Sequence, residues 1–266
     1  MPIATNIAVG QHGAGAEFPA LIENPQGVGR IVLVCEHASN HFPEAWGDLG
    51  LTVAERQTHI AWDPGALDLA RGLSLRLDAT LVHAQVSRLI YDLNRAPDQA
   101  GAMAARSEIY DVPGNAALGM NERASRTAAI YAPFHAGLHR VITERIARGF
   151  APVLITVHSF TPVYFSKPRA VEFGVIHDAD ATLAHAICDA ARTLPLRTEL
   201  NTPYAAADGV THTLRLHATP YGLPHAMLEV RNDLINTSAK ADVMADMLAP
   251  VLNMGLVEIQ RQAKAS

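Results

Sequence analysis

Two histidines, an aspartate and a glutamate occupy places in this sequence where chemistry is commonly built. His37 follows the apolar run Ile31 to Cys35, His158 follows Pro152 to Val157, Asp63 lies in Ala61-Trp62-Asp63-Pro64-Gly65, and Glu229 closes Ala226-Met227-Leu228. Neutral imidazole is the commonest zinc ligand, and a catalytic zinc site needs three protein ligands and one open position. His37 and His158 are the natural metal pair, although a single histidine at a strand end also serves as a satisfied polar cap. The third ligand is expected to be a carboxylate, either Asp63 or Glu36. Neighbours on an extended strand point to opposite faces, so Glu36 joins His37 only where the strand has ended. A carboxylate at the end of an apolar run is partly desolvated, which raises its pKa and suits a general base. Glu229 fits that description; an ion pair with Arg231 fits its spacing equally well.

Arginine offers a planar fork that grips a carboxylate with two hydrogen bonds. Arg95, preceded by Asn94, is the candidate clamp, and Arg88 is a candidate for a second carboxylate. Either could instead pair with Asp92 or Asp98. His135 and His139 are four apart and share a helical face, but HxxxH without Glu beside the first His points only weakly to a ligand pair. His212, His217 and His225 could bind substrate or line the surface.

These residues need a scaffold. Short apolar runs predict strands at Ile31 to Cys35, Thr80 to Gln85, Leu89 to Leu93, Pro152 to Val157, Val171 to Ile176, Leu214 to Ala218 and His225 to Val230. Helical patterns fall at 51–58, 65–77, 123–148, Ala179 to Leu194 and 236–264, with Pro133 able to split the third. Residues 1–29 lack a period, and 1–17 read as a loosely ordered lead-in. Residues 98–121 read as a long loop, which in a compact domain usually serves function. Alternating strands and helices predict a single α/β domain over 1–266, with a mostly parallel or mixed central sheet flanked by helices. In such sheets, sites form beyond the carboxyl ends of the strands. Glu36-His37, Asn94-Arg95, His158, and Glu229 with Arg231 all follow apolar strands, so they can converge on one crevice.

Composition removes other classes. The formal net charge is -5, with no block of like charge, so a nucleic-acid footprint is not expected. No apolar stretch of about 18 residues predicts a spanning helix, and no signal peptide is expected. Two cysteines, Cys35 and Cys188, form no CxxC pair, which fits a reducing cytoplasm. The GxSxG elbow, GxxxxGK[ST] and GxGxxG are missing. Cys35 lies inside an apolar strand and reads as core.

Four segments also carry a resemblance. Cys35-Glu36-His37-Ala38-Ser39-Asn40, His59-Ile60-Ala61-Trp62-Asp63-Pro64-Gly65-Ala66, Asp92-Leu93-Asn94-Arg95 and Val157-His158-Ser159-Phe160 resemble, in that order, the N-formylglutamate amidohydrolase family. The likeness runs from about residue 18 to 255, and more widely to zinc carboxypeptidases and aspartoacylases. It implies a zinc-carboxypeptidase-like fold and a divalent metal, most simply zinc, on His37 and His158. It implies that Asn94 and Arg95 hold the substrate carboxylate, with Arg88 or Arg231 as further candidates, and that Glu229 is the general base. Zinc carboxypeptidases carry HxxE, whereas Asn40 stands three residues after His37, which favours Asp63 over Glu36 as third ligand. The implied reaction releases formate from N-formyl-L-glutamate, a step of histidine degradation. Another small acidic N-acyl amino acid or a peptide is the alternative substrate, and a non-catalytic acidic-ligand binder the alternative role.

Overall fold

The structure is a computed structural model and describes residues 16–265. Of the lead-in expected over 1–17, residues 1–15 lie outside the described residues. The strands are β1 (Leu21–Glu23), β2 (Ile31–Cys35), β3 (Thr80–His83), β4 (Arg106–Ser107), β5 (Tyr110–Asp111), β6 (Val153–Phe160), β7 (Val163–Tyr164), β8 (Lys167–Pro168), β9 (Phe173–Ile176), β10 (Thr198–Leu200) and β11 (His225–Arg231). The helices are α1 (Ala66–Leu77), α2 (Pro113–Ala116), α3 (Met120–Arg126), α4 (Ala132–Ala147), α5 (Thr182–Ala191), α6 (His212–His217) and α7 (Ser238–Ala265). Seven strands form a mixed sheet in the order β1-β3-β2-β6-β11-β9-β10. The centre, β3-β2-β6-β11, is parallel, while β1 pairs with β3 and β9 with β11 antiparallel.

The two faces of this sheet are covered by different helices, and the side chains of each strand alternate between them. Ile31, Leu33 and Cys35 of β2, with Val153, Ile155 and Val157 of β6, pack into one core with α1, α5 and α7. Val32, Val34, Leu154 and Met227 pack into the other with Phe134, Leu138 and Ile142 of α4 and Leu214 of α6. Covering both faces is why β2 is an unbroken apolar run; burying a residue such as Leu33 contributes about 1.5–3 kcal/mol. On the α4 face, β6 continues from Leu154 to Thr156 and His158, and β11 from Met227 to Glu229. Apolar residues thus give way to polar ones toward the carboxyl ends.

Several local expectations fail for identifiable reasons. Residues 89–93 are a buried turn rather than a strand. Leu89, Ile90, Tyr91 and Leu93 are apolar because the segment is enclosed, but Ile90 and Tyr91 donate to Ser87 O and Asp92 donates to Ala102 O. Leu214 to His217 of the expected strand belong to α6, a helix too short for its period to show. Residues 51–58 hold only a 3-10 turn at Glu55–Gln57. β1 forms inside the segment read as structureless. The 98–121 loop carries a 3-10 turn, the β4–β5 hairpin and α2.

The long helix runs from α3 into α4 through a π-helical turn, Thr127–Tyr131, with Pro133 in the first turn of α4. Proline cannot donate to the carbonyl four residues back, and Ala129 O instead accepts from Phe18 N at 2.8 Å. The proline therefore ties the incoming N-terminal segment to the helix.

His135 does not bind a metal with His139. Its Nε2 faces Leu93 O at 3.0 Å and its Nδ1 meets His217 Nε2 at 2.9 Å. His212 bonds Tyr131, and His225 Nδ1 meets Leu223 O. Burial, aided by neighbouring imidazoles, holds His135 down to about 3 and His217 down to about 4. Unfolded imidazoles titrate near 6.5, roughly. Below that pH the unfolded chain takes protons that the folded chain refuses, so this pair costs stability as pH falls toward about 4. Denaturation across that window should show wild type losing stability relative to His217→Gln by up to about 1.4 kcal/mol per pH unit. Parallel curves would refute the assignment of a neutral buried His217.

Candidate active site

β2 ends at Cys35, and the chain turns at Glu36 and His37. Because extended backbone has stopped, both side chains reach His158, one at each nitrogen of its ring. His158 Nδ1 lies 3.2 Å from His37 Nδ1, and its Nε2 lies 3.2 Å from Glu36 Oε2, off the direction of a good hydrogen bond. Asp63 completes the group from the turn before α1. Its Oδ2 is 3.3 Å from His37 Nδ1 and 3.0 Å from His158 Nδ1, and accepts from Ser159 N at 3.2 Å. That turn depends on Gly65, whose φ is +80° and where a Cβ would stand 2.1 Å from Ile235 O.

The group fits a metal ion. Bonds of about 2.0–2.2 Å to a tetrahedral ion put neighbouring ligand atoms about 3.3–3.6 Å apart, within a few tenths of the 3.0–3.3 Å found here. His37 Nε2 lies 2.8 Å from Asp92 Oδ1; donating its proton there leaves the Nδ1 lone pair facing Asp63 and His158. Carboxylates behind ligating imidazoles are the usual outer support of such sites, and here Asp92 backs His37 while Glu36 backs His158. This buried His-Asp-His group could hold a metal ion. Glu36 stands behind a ring instead of in the group. Asn40, the residue that breaks HxxE, bonds Arg56 O and Gln57 on the outside of the fold.

The electrostatics follow from burial. Burial opposes the charge on each group. Even so, His37 raises the tendency of Asp63 to stay ionised, with His158 and Arg88 adding to it, and the Asp63 carboxyl is held far below the usual range. Arg88 and His37 do the same for Asp92. Burial would lower His158, but Glu36 and Asp63 push it well above an ordinary imidazole. Glu229 is different. It pairs in register with His158 across β11 and β6, and burial pushes its carboxyl up to about 7. Its other neighbour is Gly174, where a Cβ would collide with Thr202 O at 2.0 Å and crowd Glu229 Cβ at 3.3 Å.

A cavity of about 520 Å³ opens over these groups. His37, Asp63, His158 and Glu229 line it, as do Asn94, Arg88 and Arg95. Arg88 is committed to acids within the protein, Asp63 at 3.3 Å and Asp92 at 2.7 Å. Asn94 uses its amide to hold Val210 O at 2.5 Å and Thr213 N at 3.0 Å, so it shapes the wall. Arg95 donates to Asp208 O at 2.7 Å. Arg231 stays outside the cavity, bound to Asp233 and Glu172 and not to Glu229. None of His135, His212, His217 and His225 lines it. Sequence reasoning missed Asp92 as a partner of His37, and also His59, Tyr204 and Arg169 in the wall. Asp92 adjoins the Asn-Arg pair and was readable; Arg169 lies just beyond the exposed β7–β8 hairpin, with no apolar run to mark it.

The sequence model of the N-formylglutamate amidohydrolase family matches residues 29–236. The comparison with curated proteins gives no significant match. Among solved structures, the chain is similar to a gene product of Agrobacterium tumefaciens, with 46% identity, a TM-score of 0.90, and coverage of 93% of this chain and 97% of that one. It shares its fold with the N-formylglutamate amidohydrolase of Ralstonia eutropha JMP134, at 18% identity, a TM-score of 0.63 and coverage of 92% and 99%. Among the described residues no helix is long and apolar enough to cross a membrane. The chain belongs to the N-formylglutamate amidohydrolase family and is an amide-bond hydrolase.

Proposed function

We propose that this enzyme hydrolyses N-formyl-L-glutamate to formate and L-glutamate with a divalent metal held by His37, Asp63 and His158. The convergence of Asp63 Oδ2 with two imidazole Nδ1 atoms inside a cavity that Glu229 also lines carries the reading. Two nitrogens and one carboxylate oxygen are ligands that suit zinc. A metal bound there supplies Lewis acidity, polarising the scissile carbonyl and making a water easier to deprotonate.

The chain's own residues do the rest. Glu229, raised by burial, takes a proton from water at one carboxylate oxygen as the water oxygen bonds to the formyl carbon. It returns that proton to the amide nitrogen as the carbon–nitrogen bond breaks, leaving formic acid, which gives up its proton to become formate, and the amine, which takes one up in water. Asp92 and Glu36 hold the rings of His37 and His158 in place. Arg95 binds a substrate carboxylate, which fixes the amide against Glu229. Asn94 holds the 210–213 segment that walls the cavity.

Formate release from N-formyl-L-glutamate tests this directly. Purified protein should be active, lose activity on chelation, and recover it with zinc. Chelation-resistant turnover would remove the metal from the proposal, and inactivity in every metal state would remove the substrate. Glu229→Gln should lower kcat by about 100- to 10,000-fold while leaving the metal content unchanged. Turnover near the wild-type rate in that variant would refute Glu229 as the base.

A further inference from the structure

Three guanidinium groups line the cavity: Arg88, Arg95 and Arg169. Arg88 is neutralised within the protein by Asp63 and Asp92. The other two have no carboxylate within ion-pairing distance among the described residues. Arg95 has the Asp208 carbonyl as a partner. Arg169 has three aromatic rings. Its guanidinium carbon lies 5.5 Å from the ring centre of Phe160, 4.3 Å from Tyr164 and 4.9 Å from Tyr204. Its Nη2 donates to Tyr204 Oη at 3.1 Å, while Nη1 is shielded from solvent without a hydrogen-bond partner.

Aromatic faces attract a cation without using its N–H donors. A buried donor left unsatisfied in a cavity wall calls for an explanation, and recognition of a substrate acceptor is one. The nearby acids do not supply the partner. Glu172 and Asp233 are both taken by Arg231, which also donates to Arg169 O. Arg231, expected from sequence to touch substrate, thus holds the Arg169 backbone and keeps two acids off its side chain.

We propose that Arg169 is the second carboxylate-recognising residue of this pocket, so that Arg95 and Arg169 each take one carboxylate of a dicarboxylic N-acyl amino acid. This rests on the function proposed above. Two guanidiniums without acidic partners match two carboxylates, and a monocarboxylic substrate would leave one of them unpaired. Selectivity for acidic side chains then comes from the loss incurred by that unpaired charge.

The test uses the zinc-loaded enzyme and three substrates: N-formylglutamate, N-formylglutamine, and N-formylisoglutamine, in which the α-carboxylate is the amide. Arg169→Met should lower kcat/KM about 10- to 100-fold on N-formylglutamate. It should do so also on the one amide analogue that keeps the carboxylate it reads, and leave the other analogue nearly unchanged. Arg95→Met should show the complementary pattern. Arg169→Lys, which keeps the charge, should recover part of the loss. Equal losses on all three substrates, or no loss, would overturn the proposal, the first marking Arg169 as structural. If wild type cleaves none of the three, the substrate reading fails, and calorimetric binding of glutarate still reads the pocket. Weaker glutarate binding by Arg169→Met supports the carboxylate role, and unchanged binding overturns it.

Discussion

One carboxylate oxygen, Asp63 Oδ2, organises this protein. Two imidazole nitrogens and a backbone N–H meet it within 3.3 Å. The surroundings are rich in carboxyl groups: Asp63, Asp92, Glu36 and Glu229 are all buried, and Arg88 is the guanidinium that pairs with two of them. Buried charges are tolerated only when paired. Two imidazoles pushed toward protonation, or a divalent cation between them, supply what Arg88 alone does not. Tight burial of these acids therefore makes sense as a site shaped for positive charge.

The sheet makes that convergence possible. Parallel pairing of β6 with β11 sets His158 beside Glu229, and alternation puts both on the face covered by α4 and α6. The end of β2 frees Glu36 and His37 from alternation, so one ring is contacted from two sides. Ser159 links the same strand to the Asp63 turn through its N–H and through Oγ to Pro64 O at 2.8 Å. The three residues of this group come from distant stretches of sequence, and their mutual position is fixed by strand register and one glycine-dependent turn. The His135–His217 pair plays a quieter part. By taking Leu93 O and joining α4 to α6, it braces the turn that carries Asp92, Asn94 and Arg95.

The apolar runs of β2, β6 and β11 made the central strands readable, because complete burial leaves an unmistakable pattern. Polar residues directly after those runs made His37, His158 and Glu229 readable as neighbours. What sequence concealed were cases where burial and periodicity part company. Residues 89–93 are as apolar as a strand yet form a turn, and α6 is too short to show a helical repeat. Side-chain partnerships were harder still. Nothing local shows that Arg231 pairs with Glu172, or that Asn94 spends its amide on Val210 and Thr213. Arg169 gave no signal, since its meaning comes from aromatic rings contributed by β6, β7 and the segment holding Tyr204.

Asp63 is the carboxylate between the two histidines, and metal content measures its part most directly. Elemental analysis of the purified protein should find about one divalent ion per chain in the wild type. Asp63→Ala should lose it, and Glu36→Gln, altered behind the ring of His158, should retain much of it. A wild-type complement of metal in Asp63→Ala, with loss in Glu36→Gln, would contradict the account and move the third ligand to Glu36.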